Sequence, residues 1–182
     1  MAIDGAKKAI GDVAMQGMTQ AVRWGPDVLI ASLPVIGGAI VGAQTSKDIN
    51  GVWYESLEKP PWQPPAILFP IVWTVLYVLM GVAFALAVRH RNDNVFMPWA
   101  LAAFIVQLLL NYSWSIVFFR WRALAWSVAI ILLLIAAIVV TIILFYLGIG
   151  RLPALLLVPY LVWVIFATSL NFDILQRNPK QQ

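Results

Sequence analysis

The chain has 182 residues, of which 62% are apolar and only 11% are charged, and its mean hydropathy is +0.87. A water-soluble globular protein is about 45–50% apolar and about 25% charged, so this composition excludes a soluble fold and indicates a membrane protein. The absence of cysteine excludes disulfides, thiolate catalysis and cysteine-based metal sites. The net charge of +4 comes from Lys and Arg residues scattered between apolar segments, so we expect no nucleic-acid partner.

Residues 1–27 precede the first apolar segment and have a pattern of their own. Ile10, Val13, Met18 and Val22 recur at roughly helical spacing, while polar and charged residues take the other faces. This pattern predicts an amphipathic helix that lies on the membrane surface. The alternative is an N-terminal extension with no role in the fold.

Five apolar segments follow, and each is long enough to cross the hydrocarbon core as a helix, which takes about 20 residues. Charges or Gly/Pro breaks separate them, and the chain has no internal repeat. We therefore predict an all-α integral membrane protein, with a five-helix bundle over residues 28–176 and a polar C-terminal tail over residues 177–182. The predicted spans are Val28–Thr45, Ala66–Val88, Pro98–Phe119, Leu124–Leu147 and Leu152–Leu175.

An odd number of spans places the two termini on opposite sides of the membrane. Lys and Arg are equally divided between the two sides, so the positive-inside rule does not by itself choose an orientation. It chooses one only when Lys7 and Lys8, which lie far from the first span, are left out of the count. The C-terminus is then expected on the cytoplasmic side.

Gly38 and Gly42 stand four residues apart on the first predicted span. Small residues at this spacing allow two transmembrane backbones to approach closely, so the pattern favours helix packing. A thinned wall beside a ligand and a dimer contact are the alternatives.

The loop from Lys47 to Pro65 is long for a compact bundle and contains Trp53, Tyr54 and Trp62 among several prolines. Prolines stiffen a loop because they fix φ, and aromatic side chains suit either the membrane interface or the roof of an internal cavity. We interpret this segment as a lid, with an interfacial aromatic belt as the alternative.

Three spans carry aromatic or amide side chains at helical spacing, so each presents a stripe on one face. Polar groups inside hydrocarbon turn toward the bundle interior, where such stripes form either the walls of a pocket for a planar ligand or ordinary contacts between helices. The stripes are Phe69, Trp73 and Tyr77 on the second span, Gln107, Asn111 and Trp114 on the third, and Trp163, Ala167 and Asn171 on the fifth.

Familiar catalytic sets are missing from the sequence. His90 is the single histidine, and no carboxylate pair or thiol accompanies it. We therefore expect no metal site, no tightly bound cofactor and no acid–base catalysis.

Three segments resemble the signatures of the translocator protein family, also called TspO/MBR, which includes tryptophan-rich sensory proteins and peripheral-type benzodiazepine receptors. The segments are WQPPAILFPIVWTVLYVLMG at residues 62–81, QLLLNYSWS at residues 107–115 and PYLVWVIFATSLNF at residues 159–172. Residues 33–42 and 53–60 are similar to the first helix and first loop of that family. The resemblance covers about residues 30–175.

The resemblance implies a five-helix bundle, often a homodimer, with a cavity that opens toward the first loop. It implies that this cavity binds porphyrins such as protoporphyrin IX, and in some members cholesterol or benzodiazepine-type ligands. The positions that match the pocket of the family are Trp73, Asn111, Trp114, Trp163 and Ala167. Trp73 and Trp163 also match the two tryptophans that the family links to light-dependent porphyrin breakdown.

The sterol-recognition stretch of the family departs from its pattern here, since Phe172 stands where a tyrosine hydroxyl is expected between Leu170 and Arg177. The leading hypothesis is a membrane receptor, sensor or carrier that binds porphyrin-type tetrapyrroles, or another flat apolar molecule, in a pocket inside the bundle. The alternatives are light-dependent degradation of the porphyrin in the same pocket, and a membrane scaffold or lipid- or sterol-binding protein.

Overall fold

The structure, a computed structural model, describes the backbone of residues 2–179 and the side chains of residue 15 and residues 25–179. Its helices are α1 (Ala2–Ile49), α2 (Val52–Ser56), α3 (Leu68–Arg89), α4 (Met97–Ser115), α5 (Leu124–Gly148), α6 (Arg151–Leu156) and α7 (Val158–Arg177). A π-helical turn at Ile116–Arg120 extends α4. Within the described residues, 5 stretches are long and apolar enough to cross a membrane, so the predicted all-α, five-span fold is confirmed.

The first membrane-spanning stretch runs over Gly25–Ile49 and is therefore longer at its C-terminal end than the predicted span. The hydroxyls of Thr45 and Ser46 donate to the carbonyls of Val41 and Ala43, both at 2.9 Å, so these polar side chains are satisfied within the helix. The backbone of α1 is already helical from Ala2. Whether its first part is amphipathic on the membrane surface depends on side chains that lie outside the described residues.

The fifth predicted span is broken into α6 and α7 at Leu157. Pro159 has no amide hydrogen, and its ring disfavours a helical carbonyl four residues earlier, so a continuous helix would be strained at this point. The chain relieves the strain with a tighter turn, in which the Leu157 amide donates to the carbonyl of Ala154 at 3.1 Å.

Helices α1 and α3 approach each other closely where Gly81 faces Ala31. A Cβ at Gly81 would overlap the backbone carbonyl of Ala31, so only glycine allows this approach. Near the same end, the Arg89 guanidinium donates to both carboxylate oxygens of Asp27, at 2.9 and 2.7 Å. These contacts fix α1 against α3 at one end of the bundle.

The half of the bundle that contains this crossing is filled by buried apolar side chains. Phe84, Phe104 and Phe145 of α3, α4 and α5 stack in a row, with ring centroids 4.6 and 5.8 Å apart. Met80 and Met97 fill the remaining space and are fully buried. The opposite half, at the C-terminal ends of α1, α4 and α7, is hollow.

Candidate ligand-binding site

A cavity of about 570 Å³ occupies the hollow half of the bundle. Its walls come from α1, α3, the end of α4 and α7, while α2 and the loop after it cover the end. The lining is mainly apolar and aromatic, and no charged side chain is among the described lining residues. A cavity of this size and chemistry suits a small apolar molecule, since ligand pockets are typically about 300–1,000 Å³.

Five of the side chains predicted to bind a ligand line this cavity: Trp73, Tyr77, Trp114, Trp163 and Ala167. The Trp73 ring stacks on Tyr77 with centroids 5.5 Å apart, and the Trp163 ring meets Phe69 edge-on at 5.8 Å. The fold therefore brings together the stripes of three separate spans. The binding role of these residues stays a prediction.

Two other predicted residues, Asn111 and Gln107, are buried but are not among the lining residues of the cavity. The hydroxyl of Tyr77 donates to the carboxamide oxygen of Asn111 at 2.7 Å, so Asn111 holds the orientation of a ring that does line the cavity. Neither amide atom of Gln107 has a hydrogen-bond partner among the described residues. Direct contact of these two amides with a ligand stays a prediction.

A buried hydrogen-bonded chain leads from the cavity wall into α5. The indole N–H of Trp114 donates to the carboxamide oxygen of Asn171 at 2.9 Å. The Asn171 amide donates to the hydroxyl of Ser127 at 3.1 Å, and that hydroxyl donates to the carbonyl of Leu124 at 2.7 Å. Ser127 was not among the predicted site residues, although a serine near the start of a strongly apolar span is a signal for a buried polar contact.

Gly38 and Gly42 of α1 both lie on the cavity wall but differ in their surroundings. A Cβ at Gly38 would overlap the ring of Tyr77, so Gly38 allows α1 to pack against α3. A Cβ at Gly42 would have nothing within 4 Å. Gly38 thus fits the packing interpretation within one chain, whereas Gly42 fits a thinned wall beside the cavity.

The segment interpreted as a lid contains α2, a short helix that the sequence did not predict, and covers one end of the cavity. Trp53 and Tyr54 on α2 pack edge-on against the ring of Phe118, at 6.1 and 6.2 Å between centroids. Trp62 packs against Phe166 of α7 at 5.8 Å and is 45% exposed. Only Tyr54 of the three predicted lid aromatics is a lining residue, and the other two attach the lid to the bundle.

Asn178 fastens this lid to the end of α7. Its carboxamide oxygen accepts the backbone N–H of Glu58, and its amide nitrogen donates to the Glu58 carbonyl, both at 3.0 Å. The same nitrogen donates to the carbonyl of Ile174 at 2.8 Å, which caps the helix. Asn178 was predicted to lie in a polar tail, because nothing in the local sequence marks a contact with a residue 120 positions away.

Two cations sit on the lid aromatics. The ammonium of Lys59 lies 4.4 Å from the ring centroid of Tyr54, and the guanidinium of Arg122 lies 5.6 Å from that of Trp53. Burial raises the pKa of Tyr54, partly offset by its hydrogen bond with Gln63, so the phenol stays neutral at physiological pH. Burial also lowers the pKa of Lys59, against the opposing attraction of Glu55.

Comparison with known proteins gives consistent results. The model of the TspO/MBR family matches residues 30–177. The chain is 44% identical to the tryptophan-rich protein TspO of Chlorobaculum tepidum, over 70% of this chain and 80% of that protein. It is 35% identical to protein CrtK of Rhodobacter capsulatus, over 79% and 89% respectively, and 32% identical to the human translocator protein, over 87% and 93%.

Proposed function

The chain belongs to the TspO/MBR family, and we propose that it is a membrane receptor or carrier that binds porphyrin-type tetrapyrroles in the aromatic cavity. The observation that carries the proposal is the arrangement of Trp73, Trp114 and Trp163 around a single apolar volume of about 570 Å³. Indole faces suit a flat conjugated ring, because offset stacking adds to the free energy gained by burying apolar surface.

The polarity of the cavity supports one orientation of the porphyrin. Along α1 the lining changes from Val35 and Ala39 to Thr45, Ser46 and Asn50 as the helix approaches the lid. A porphyrin would therefore place its macrocycle among the tryptophans and its carboxylates at the lid end, near water. The ammonium of Lys59, 4.4 Å from the ring centroid of Tyr54, lies at that end and would attract the carboxylates.

Titration of the purified protein with protoporphyrin IX in the dark tests this proposal. We expect saturable tryptophan quenching together with a shift of the porphyrin absorption band. Empty micelles of the same detergent control for partition of the porphyrin into detergent. A signal that rises linearly, as it does in the micelles, would refute specific binding and favour the scaffold hypothesis.

Light-dependent breakdown of the bound porphyrin is the second candidate. Trp73 and Trp163 both line the cavity, so a porphyrin there would contact both oxidisable indoles. An excited porphyrin transfers its energy to dioxygen, and the oxidant formed attacks the macrocycle or a nearby indole. Irradiation of the titrated complex tests this activity. Loss of the porphyrin absorption band that is slower in Trp73→Phe and Trp163→Phe than in the unmodified protein supports it. Loss at the same rate as in empty micelles refutes it.

A further inference from the structure

We infer that ligands enter the cavity from the bilayer, through a lateral slot between α1 and α3 rather than through the lid. The lateral slot is the gap bounded by Ala39, Gly42 and Ser46 on α1 and by Pro70 and Thr74 on α3. This inference rests on the proposed role of the cavity as a binding site for an apolar ligand. It adds the route by which that ligand arrives.

The exposure of the lining residues shows where the cavity meets the outside. All five residues of the lateral slot line the cavity and are also exposed at the protein surface. The other exposed lining residues are Asn50 and Ala66, at the lid end. By contrast, no lining residue on α4, on its π-helical extension or on α7 is exposed. These five positions belong to membrane-spanning helices, so the opening faces lipid.

The slot follows from how α1 crosses α3. The helices touch tightly where Gly81 meets the carbonyl of Ala31 and again where Gly38 meets the ring of Tyr77. One turn further along α1, a Cβ at Gly42 would find nothing within 4 Å. Helices α1 and α3 therefore diverge toward the lid, and the small side chains of the lateral slot leave the gap between the two helices unfilled.

At the lid end, by comparison, several contacts fasten the lid to the bundle. Asn178 makes two hydrogen bonds of 3.0 Å to the backbone of Glu58, and Trp53 and Tyr54 pack on the ring of Phe118. Entry at this end would have to break these contacts. A flat apolar molecule already dissolved in the bilayer reaches the lateral slot without returning to water. Entry there therefore avoids both the breaking of the lid contacts and the free-energy cost of transfer from lipid to water.

A cysteine placed inside the cavity tests the route without using a porphyrin. Ala167 lies in the back wall on α7 and is 7% exposed, and the chain has no cysteine of its own, so Ala167→Cys provides a single thiol. The full-length variant in lipid nanodiscs is treated with N-phenylmaleimide, which dissolves in the bilayer, and labelling is followed by mass spectrometry. Unfolding in SDS shows that the thiol is competent to react.

Three further variants, each combined with Ala167→Cys, locate the entrance. Ala39→Phe together with Thr74→Phe fills the lateral slot. Ala129→Phe together with Ala136→Phe is the matched control, since both alanines are exposed on α5, which contributes no lining residue. Asn178→Ala loosens the lid.

We expect the slot variant to label at least tenfold more slowly than the control, and the lid variant to label at the unmodified rate. Equal rates in the slot and control variants, faster labelling in the lid variant, or a thiol that reacts only after unfolding would each overturn the inference. The readout needs no porphyrin. A failed porphyrin titration would therefore refute the proposed function while leaving the entry route to be decided by these rates.

Discussion

The indole N–H of Trp114 and the carboxamide oxygen of Asn171 are 2.9 Å apart, and this hydrogen bond joins α4 to α7 at the cavity wall. Asn171 in turn donates to Ser127 on α5, so one buried amide links three helices. Because hydrocarbon supplies no alternative partner, each group in such a chain depends on the others. The contact fixes the plane of an indole that faces the cavity.

Removing the indole donor should weaken this junction. Trp114→Phe keeps an aromatic ring but leaves the Asn171 oxygen without its donor, and we expect a loss of about 1 kcal/mol in the free energy of unfolding. That figure lies between the average of about 0.6 kcal/mol for hydrogen bonds in membrane proteins and the cost of about 1–3 kcal/mol for an orphaned buried group.

Unfolding by SDS, followed by circular dichroism, measures this loss. Trp126→Phe is the control, because Trp126 is 72% exposed on α5. Equal stability of the two variants would show that the contact between Trp114 and Asn171 contributes nothing.

Gly38 and Gly42 of α1 should respond in opposite ways to the same substitution. In Gly38→Ala the new methyl group would overlap Tyr77, whose hydroxyl is held by Asn111, so we expect a loss of about 1–3 kcal/mol. In Gly42→Ala the methyl group meets open space, and the better helix propensity of alanine should leave stability equal or raise it by up to about 1 kcal/mol. Thermal unfolding in detergent compares the two, and a Gly38→Ala protein as stable as Gly42→Ala would contradict the packing described for α1 and α3.

The lid can be probed by a protease specific for glutamate, because the only glutamates of the chain, Glu55 and Glu58, both lie in the lid. Asn178→Ala removes two hydrogen bonds to Glu58, each worth about 0.5–1.5 kcal/mol net, so we expect cleavage to accelerate about tenfold.

Asn94→Ala is the control for this experiment. Its amide donates to the carbonyl of Gly148 at 2.7 Å, which is a comparable contact elsewhere in the chain. Unchanged cleavage in Asn178→Ala, or equal acceleration in both variants, would show that Asn178 does not hold the lid.

The fold was accessible from the sequence because hydrophobic length alone identifies membrane-spanning helices. The fourth span begins at Leu124 both in the prediction and in the structure, and its end differs by one residue. The break at Leu157 was harder to predict, since prolines occur within transmembrane helices without always interrupting them. Pro34, for example, lies inside the continuous helix α1, where its carbonyl accepts the hydroxyl of Tyr112 at 2.8 Å.

The candidate site was only partly accessible from the sequence. Helical spacing grouped Trp73 with Tyr77, because periodicity determines which residues share a face. Periodicity could not determine which residues of a face reach the cavity: Asn111 shares a face with Trp114, yet it is not a lining residue and instead accepts the hydroxyl of Tyr77. Contacts over a long sequence separation, such as that of Asn178 with Glu58, leave no periodic signal at all.

The measurement that tests the central claim most directly is the dissociation constant of protoporphyrin IX for Ala167→Phe. This substitution places a benzyl group in the cavity, and the same change at the exposed Ala136 of α5 is the matched control. We predict binding at least tenfold weaker in Ala167→Phe and unchanged in Ala136→Phe, with both variants folded as judged by circular dichroism. Equal affinity in the two folded variants would show that porphyrin does not bind in this cavity.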